Sequence, residues 1–163
     1  MSIVIDGTGT ISGVSATGLS AVQNLPTGSI LQVVQASTST QQVIATASWV
    51  DLSGLSVSIT PKSTNSKMLV MWSVQGQVGS GGGSGFSVQA LRNSTSLFTP
   101  ATFYDSFLNS IIGRLRNVNF EIDSPATTSA ITYKLQAGTH SAGTVNFQDG
   151  SNFQSTITVM EIA

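Results

Sequence analysis

The sequence has no cysteine and few charged residues. Of its 163 residues only 8% are charged, six Lys+Arg against seven Asp+Glu, which leaves a formal net charge of −1. Without cysteine there is no disulfide framework, no thiolate zinc site and no cysteine nucleophile. The absence of a basic excess argues against nucleic-acid binding, because neutralising phosphates requires clustered Lys and Arg.

Long hydrophobic runs are also missing. The densest apolar run, residues 68–72, is far shorter than the ~20 residues that a membrane-spanning helix needs. The first residues have no basic segment and are interrupted by glycine, so no signal peptide is predicted. We therefore expect that the protein is made in a cytoplasm and does not insert into a membrane.

Serine and threonine are the main polar residues of the sequence. Together they account for 45 of the 163 residues, beside 16 glycines and a hydrophobic fraction of 40%. This hydrophobic content is too high for a disordered chain, and the length suits one domain with a sizeable core. The surface must then consist of hydroxyls, amides and glycine, or be covered by other copies of the protein.

Residues 1–28 differ from the remainder. They contain five glycines, a single charge at Asp6 and no aromatic residue. Glycine disfavours a helix, and so short a segment cannot close a core alone. We predict an extended N-terminal arm that becomes ordered by docking to another surface, the alternative being an unstructured leader. The residues predicted to dock are Ile3, Ile5, Ile11 and Val14.

Residues 29–163 show β-strand patterns almost throughout and are predicted to form a head domain. Strict alternation, typical of half-buried strands, marks residues 55–59, 86–90, 118–122 and 131–135. Residues 67–74 are apolar enough for a central strand, and residues 42–50 predict a strand interrupted near Ala47. Eight to ten short strands joined by Gly, Ser and Pro turns predict an all-β, jelly-roll-like antiparallel sandwich. A helical turn is considered only for residues 103–112.

Few residues are candidates for chemistry. The single histidine, His140, lacks the converging groups that a metal site or a Ser-His-Asp triad requires; it is predicted on an exposed turn, although three copies around a trimer axis could bind a metal or an anion. Glu121 and Asp123 share one strand face, as a hydrolytic carboxylate pair could. Arg114 and Arg116 just upstream favour an ion pair, across strands or between subunits. We expect no catalytic residue, no metal and no cofactor.

Surface contact is predicted at three loops, residues 79–85, 100–110 and 138–143. The glycine-rich loop lacks the Gly-Lys-Ser/Thr of a phosphate-binding loop and is predicted to be a flexible hairpin tip. Trp72 lies in a central-strand pattern and is expected in the core. The candidate contact residues are Gly81, Gly82, Gly83, Tyr104 and His140.

Several segments resemble small tail-fibre-like virion proteins of tailed bacteriophages, notably phages of aquatic hosts, such as cyanophages. One is residues 49–61, which contain the strand and turn VDLSGLSVSITP, and none of the segments is an active-site motif. The others are residues 2–13, 25–34, 123–125, 132–134 and 157–163.

The resemblance implies a non-enzymatic, homotrimeric virion component with a β-sandwich head. Its arm would dock to other virion proteins of the tail or capsid. As a tail fibre, its loops would contact a host-surface glycan; as a capsid decoration protein, the trimer would brace neighbouring capsid subunits. The least favoured alternative is a polysaccharide-depolymerising enzyme.

Overall fold

The computed structural model shows an all-β protein with antiparallel sheets. It describes residues 26–79, 84–98, 100, 106–108, 112–140, 143–150 and 153–163, together with two short strands at 4–5 and 11–12. No α-helix occurs in these segments. The prediction of an all-β chain is therefore confirmed.

The strands are numbered in chain order. Two short ones near the N-terminus, β1 (Val4–Ile5) and β2 (Ile11–Ser12), pair with each other. The others are β3 (Ile30–Thr38), β4 (Gln42–Ile44), β5 (Val50–Ile59), β6 (Lys67–Val78), β7 (Ser84–Arg92), β8 (Thr95–Ser96), β9 (Ser106–Leu108), β10 (Gly113–Asp123), β11 (Ile131–Thr139), β12 (Val145–Phe147) and β13 (Ser155–Ile162).

The strands of the head form two sheets. The six-stranded sheet has the order β3-β13-β6-β12-β4, and β10 pairs with the opposite edge of β6 along eleven register positions. The five-stranded sheet has the order β5-β11-β7-β8, with β9 also paired to β7. Strand β6 is therefore central, as its apolar sequence predicts.

The hydrophobic core lies between these two sheets. Strands β5 and β13 alternate between buried and more exposed residues, because successive side chains of a strand point to opposite faces. Trp72 is buried in the core, as predicted. The rings of Phe86 and Phe147 meet edge to face with their centroids 5.0 Å apart. A Cβ atom on Gly76 would stand 2.7 Å from Cε1 of Phe86, so the two sheets approach closely here.

Two local predictions need correction. Residues 42–50 contain no single interrupted strand: Gln42–Ile44 belongs to the six-stranded sheet, whereas Val50 begins β5 of the other sheet. The intervening residues thus carry the chain across the sandwich. The helical turn considered for residues 103–112 is wrong for Ser106–Leu108, which pair antiparallel with β7. Pairing across the sheet overrides the weak helical preference of so short a segment.

Residues 26–29, where the predicted arm meets the predicted head, form a turn. Ser29 N donates to the carbonyl of Pro26 at 3.0 Å, and Gly28 adopts φ +91°. Gly28 N also donates to the carbonyl of Ala163, while Ala163 N donates to that of Ser29, both at 2.9 Å. The last residues of the predicted arm are thus hydrogen-bonded to the end of β13.

Candidate interaction surface

Strand β10 directs its polar side toward the core and its apolar side outward, unlike its neighbours. Its core-facing positions hold Leu115 followed by polar residues, whereas Val118, Phe120 and Ile122 point away from the core and are 67%, 61% and 59% exposed. The alternation of residues 118–122 predicts a strand correctly. In contrast to residues 55–59, however, the apolar side of this strand is the exposed one.

Polar contacts on the inner side of β10 explain this orientation. Trp72 Nε1 donates a hydrogen bond of 2.9 Å to Oδ1 of buried Asn117. Arg92 of the opposite sheet lies 2.7 Å from the Asp123 carboxylate, which also accepts a 2.7 Å hydrogen bond from the Tyr133 hydroxyl. Shifting the register by one residue would take Asn117 and Asp123 away from these partners and leave buried polar groups unpaired.

The sequence predicted an ion pair across strands or between subunits, and Asp123 and Arg114 each form one with a residue of another element. Asp123 pairs with Arg92, not with Arg114 or Arg116 of its own strand. Arg114 instead pairs with Asp149 at 3.1 Å and lies over the ring of Phe153, 4.8 Å from its centroid. The partners come from other strands and turns, so spacing along one strand could not identify them.

The outward side chains of four adjacent strands form one continuous surface, which we call the apolar face. In antiparallel pairs, residues in register lie side by side on the same face of the sheet. Reading across β10, β6, β13 and β3, the register defines four rows. They are Val118–Ser73–Thr156–Ser37, Phe120–Met71–Thr158–Gln35, Ile122–Leu69–Met160–Val33, and a last, partial row Lys67–Ile162–Ile30.

Most of the exposed large hydrophobic side chains in the described part of the chain lie on the outer side of this sheet. Five of the eight belong to the apolar face: Ile30, Val33, Val118, Phe120 and Ile122. A sixth, Val43, lies on the same side at β4, in register with Asn146 and Gln77. Scattered exposed apolar residues are ordinary, but a contiguous patch marks a surface that meets another molecule.

A groove of about 430 Å³ crosses this face. Met71 and Ser73 lie along it, between Val118 and Phe120 on one side and Thr156 and Thr158 on the other. Apolar groups with a few hydroxyls suit an uncharged side chain or a segment of polypeptide.

Charged residues lie at the ends of the face. Lys67 lies in the last row, where its Nζ is 3.4 Å from the Ser124 hydroxyl. At the opposite end Arg116 donates to Ser73 Oγ at 2.8 Å and to the carbonyl of Gln154 at 3.3 Å. The three rows between these ends contain no charged side chain.

The outer side of the five-stranded sheet has the opposite character. Lys134 Nζ lies 2.8 Å from Asp51 Oδ2, Gln136 Nε2 donates to Oδ1 at 2.7 Å, and the hydroxyls of Ser58 and Thr132 are 2.9 Å apart. The hydrogen bond from Lys134 lowers the pKa of the Asp51 carboxyl below its ordinary value. This is a solvated polar surface, which leaves the apolar face as the unusual one.

Only some of the predicted site residues fall within the described part of the chain. His140 follows β11, where its carbonyl accepts a hydrogen bond from Gly143 N at 2.8 Å. Ile5 and Ile11 are register partners in the β1–β2 pair. The remaining candidates, Ile3, Val14, Gly81, Gly82, Gly83 and Tyr104, lie outside the described residues.

The apolar face was not predicted from the sequence. The pattern that could have indicated it lies in residues 117–123, where apolar residues alternate with Asn, Glu and Asp. In the described segments no three His, Asp or Glu side chains are grouped as a metal ion would need. The same segments include no helix that could cross a membrane.

The chain is similar to several solved structures. No family model and no curated protein matches the chain. A structure described as that of infectious bursal disease virus, Gx strain, aligns with a TM-score of 0.42 at 14% identity. The alignment covers 82% of this chain and 41% of that one, so the chain spans about two fifths of the length of the protein it matches. A TM-score of this size does not establish a common fold or a common function.

Proposed function

We propose that this protein is a non-enzymatic structural subunit of a bacteriophage virion. In this proposal it forms a homotrimeric module of the tail-fibre type, whose arm docks to the virion and whose head contacts a host-surface glycan. The observation that carries the structural role is the apolar face, because a contiguous apolar patch is suited to contact with protein rather than water. The resemblance of several segments to phage tail-fibre-like proteins supplies the virion context.

The strand order supports a jelly-roll head. If β4, β8 and β12 are left out and the equally short β9 is kept, the two sheets run β3-β13-β6-β10 and β5-β11-β7-β9. The first and last of these eight strands are neighbours, and successive strands alternate between the sheets except for β7 and β9, which share one. Numbered one to eight, the sheets read 1-8-3-6 and 2-7-4-5, the arrangement of a jelly roll. That architecture recurs in viral capsid and lectin domains, although such an analogy bears on fold more than on role.

The composition agrees with an assembled protein. A chain that is 8% charged has little to keep it dispersed in water, and burying uncharged strand faces against other subunits avoids the cost of desolvating charges. Trimer formation would also cover sheet edges that invite uncontrolled pairing.

A capsid decoration protein is the second candidate. It is favoured by the short connection between arm and head, because β3 begins at Ile30, only four residues after Pro26, and the sequence contains no repeated shaft segment. In this role the same trimer would brace neighbouring capsid subunits through its arms.

Localisation on the virion tests the proposal. Gold-labelled antibodies raised against the head should bind purified phage at the tail, with phage lacking the gene as the control. Label spread over the whole capsid would replace the fibre with the decoration role. Particles that bind no antibody, intact or disrupted, would refute a virion protein of either kind.

A separate assay addresses the enzymatic alternative. Purified protein should release no reducing ends from host-surface polysaccharide, with a commercial glycosidase as the positive control. Steady release that depends on protein concentration would refute the non-enzymatic proposal while leaving the virion location intact.

A further inference from the structure

We infer that the apolar face is the surface through which copies of this chain associate around a threefold axis. The inference rests on the proposed function, because it names the part of the head that makes the trimer. A second copy of the chain is thus the occupant of the face and of its groove.

The exposure of Phe120 and its neighbours is built into the fold. The Asp123 carboxylate is held by Arg92 and Tyr133, and Asn117 by Trp72, so β10 cannot turn its apolar side inward without breaking these contacts. Because this side faces water in a single copy, the cost of its exposure disappears only when another molecule covers it.

The absence of charge points to an identical partner. Packing three copies of one face around an axis brings equivalent residues close together, and like charges in close contact oppose association. The three rows between Lys67 and Arg116 contain no charge that could be repelled in this way. A strongly charged partner would find no complementary group there, whereas a second copy offers the same apolar surface.

The edge of β10 also requires cover. This eleven-residue strand has β6 as its hydrogen-bonded neighbour on one side, and its other side is unpaired among the residues that the structure describes. Long exposed edges with apolar side chains promote uncontrolled association unless a partner or a protective device covers them. A closed ring of copies covers the edge and limits the number of subunits.

The area of the face favours a ring of three over a face-to-face pair. Four strands and four rows span roughly 500 Å² at ordinary strand and residue spacings. A stable two-copy interface buries about 800 Å² on each partner, more than this face supplies. In a cyclic trimer each subunit contacts two neighbours, and the unpaired edge of β10 adds to the area that the face buries.

The test compares Phe120→Glu with Phe98→Glu in the full chain. Phe120 is 61% exposed in the apolar face, whereas Phe98 is 38% exposed beyond β8 of the other sheet. Light scattering coupled to size exclusion at micromolar concentration should give the wild type and Phe98→Glu three times the mass of the 16.8 kDa chain. Phe120→Glu should elute at the mass of one chain, because it would bring carboxylates together in an apolar contact.

Circular dichroism and thermal unfolding ensure that the loss of assembly is not a loss of fold. If Phe120→Glu does not fold, the milder pair Phe120→Ser and Phe98→Ser replaces it, with at least a tenfold weaker association expected for Phe120→Ser alone. A folded Phe120 variant that remains trimeric would overturn the assignment of the face and leave the proposed trimer standing. A monomeric wild type would overturn both, whereas the virion location is decided separately by antibody labelling.

Discussion

Asp123 of β10 and Arg92 of β7 join the two sheets of the sandwich, with 2.7 Å between the carboxylate and Nη1. The same carboxylate accepts a hydrogen bond from the hydroxyl of fully buried Tyr133. This link draws the polar side of an edge strand toward the core, and the apolar side is directed outward as a result. The orientation of the apolar face therefore depends on a few polar contacts beneath it.

The first prediction concerns this link. Asp123→Ala should lower the free energy of unfolding by about 2–4 kcal/mol, because it leaves the Tyr133 hydroxyl and a partly buried guanidinium without their acceptor. Urea denaturation followed by circular dichroism measures the change. Asp51→Ala, which removes the exposed partner of Lys134, is the matched control and should cost no more than about 1 kcal/mol. Equal losses in the two variants would contradict the structural role of Asp123.

The second prediction is an alkaline dependence of stability. Burial, together with hydrogen bonding to the Asp123 carboxylate, raises the pKa of Tyr133 well above its ordinary value. Because the folded pKa is the higher one, the stabilisation is fully present below the unfolded pKa of about 10 and is lost as pH rises above it. Denaturant titrations between about pH 8 and 11, a range that includes this pKa, should show that the free energy of unfolding falls above about pH 10.

Substituting each tyrosine in turn shows which one causes the alkaline loss of stability. Tyr133→Phe should flatten the alkaline fall, and Tyr104→Phe should leave it in place. In an absorbance titration, one of the two tyrosines of the wild type should ionise only when the fold is lost. A wild type in which both ionise near their ordinary pKa while still folded would refute the burial of Tyr133.

A third prediction compares Gly76, within β6, with Gly79, which directly follows β6. Gly76→Ala should destabilise the protein by about 1–3 kcal/mol, since overpacking a tight core forces neighbouring groups to move. Its Cβ would approach Phe86 Cε1 to 2.7 Å and Val145 Cγ1 to 3.0 Å. In Gly79→Ala the nearest atom would be the carbonyl oxygen of Thr144 at 3.8 Å, so a change within about 0.5 kcal/mol is expected. Thermal unfolding of both variants provides the measurement, and a Gly76→Ala variant as stable as the wild type would contradict the close packing.

The fourth prediction separates the arm from the head. Deleting residues 1–25 should leave a folded head that fails to join the particle, as measured by circular dichroism and by incorporation into virions. Deleting residues 1–28 should be less stable, because it also removes Gly28, whose N–H donates to the carbonyl of Ala163. A 1–25 deletion that is incorporated normally would refute docking through the arm, and one that does not fold would show that the arm belongs to the core.

The sequence predicted elements better than contacts. Alternation at residues 55–59 predicted both a strand and its buried side, since Leu55, Val57 and Ile59 are buried. The same alternation predicted a strand at residues 118–122, but there the apolar side is the exposed one. Alternation distinguishes two faces of a strand without indicating which one meets the core, and burying the apolar side is the usual outcome.

The ion pairs show the same limit. Asp123 has arginines nearby in its own strand, yet its partner is Arg92, 31 residues earlier. Likewise Asn117 is hydrogen-bonded to Trp72, 45 positions away. Such pairs form when strands and sheets pack together, and the sequence around either residue does not indicate its partner.

By itself the sequence determined that the chain forms short antiparallel strands with few charges, because side-chain alternation and the scarcity of Lys, Arg, Asp and Glu are local properties. It also determined that thiol chemistry is absent. The tertiary structure alone decided where the uncharged surface is concentrated. Packing the two sheets brought Arg92, Tyr133 and Trp72 to the polar side of β10, and burying those hydrogen-bonded groups turned Val118, Phe120 and Ile122 outward.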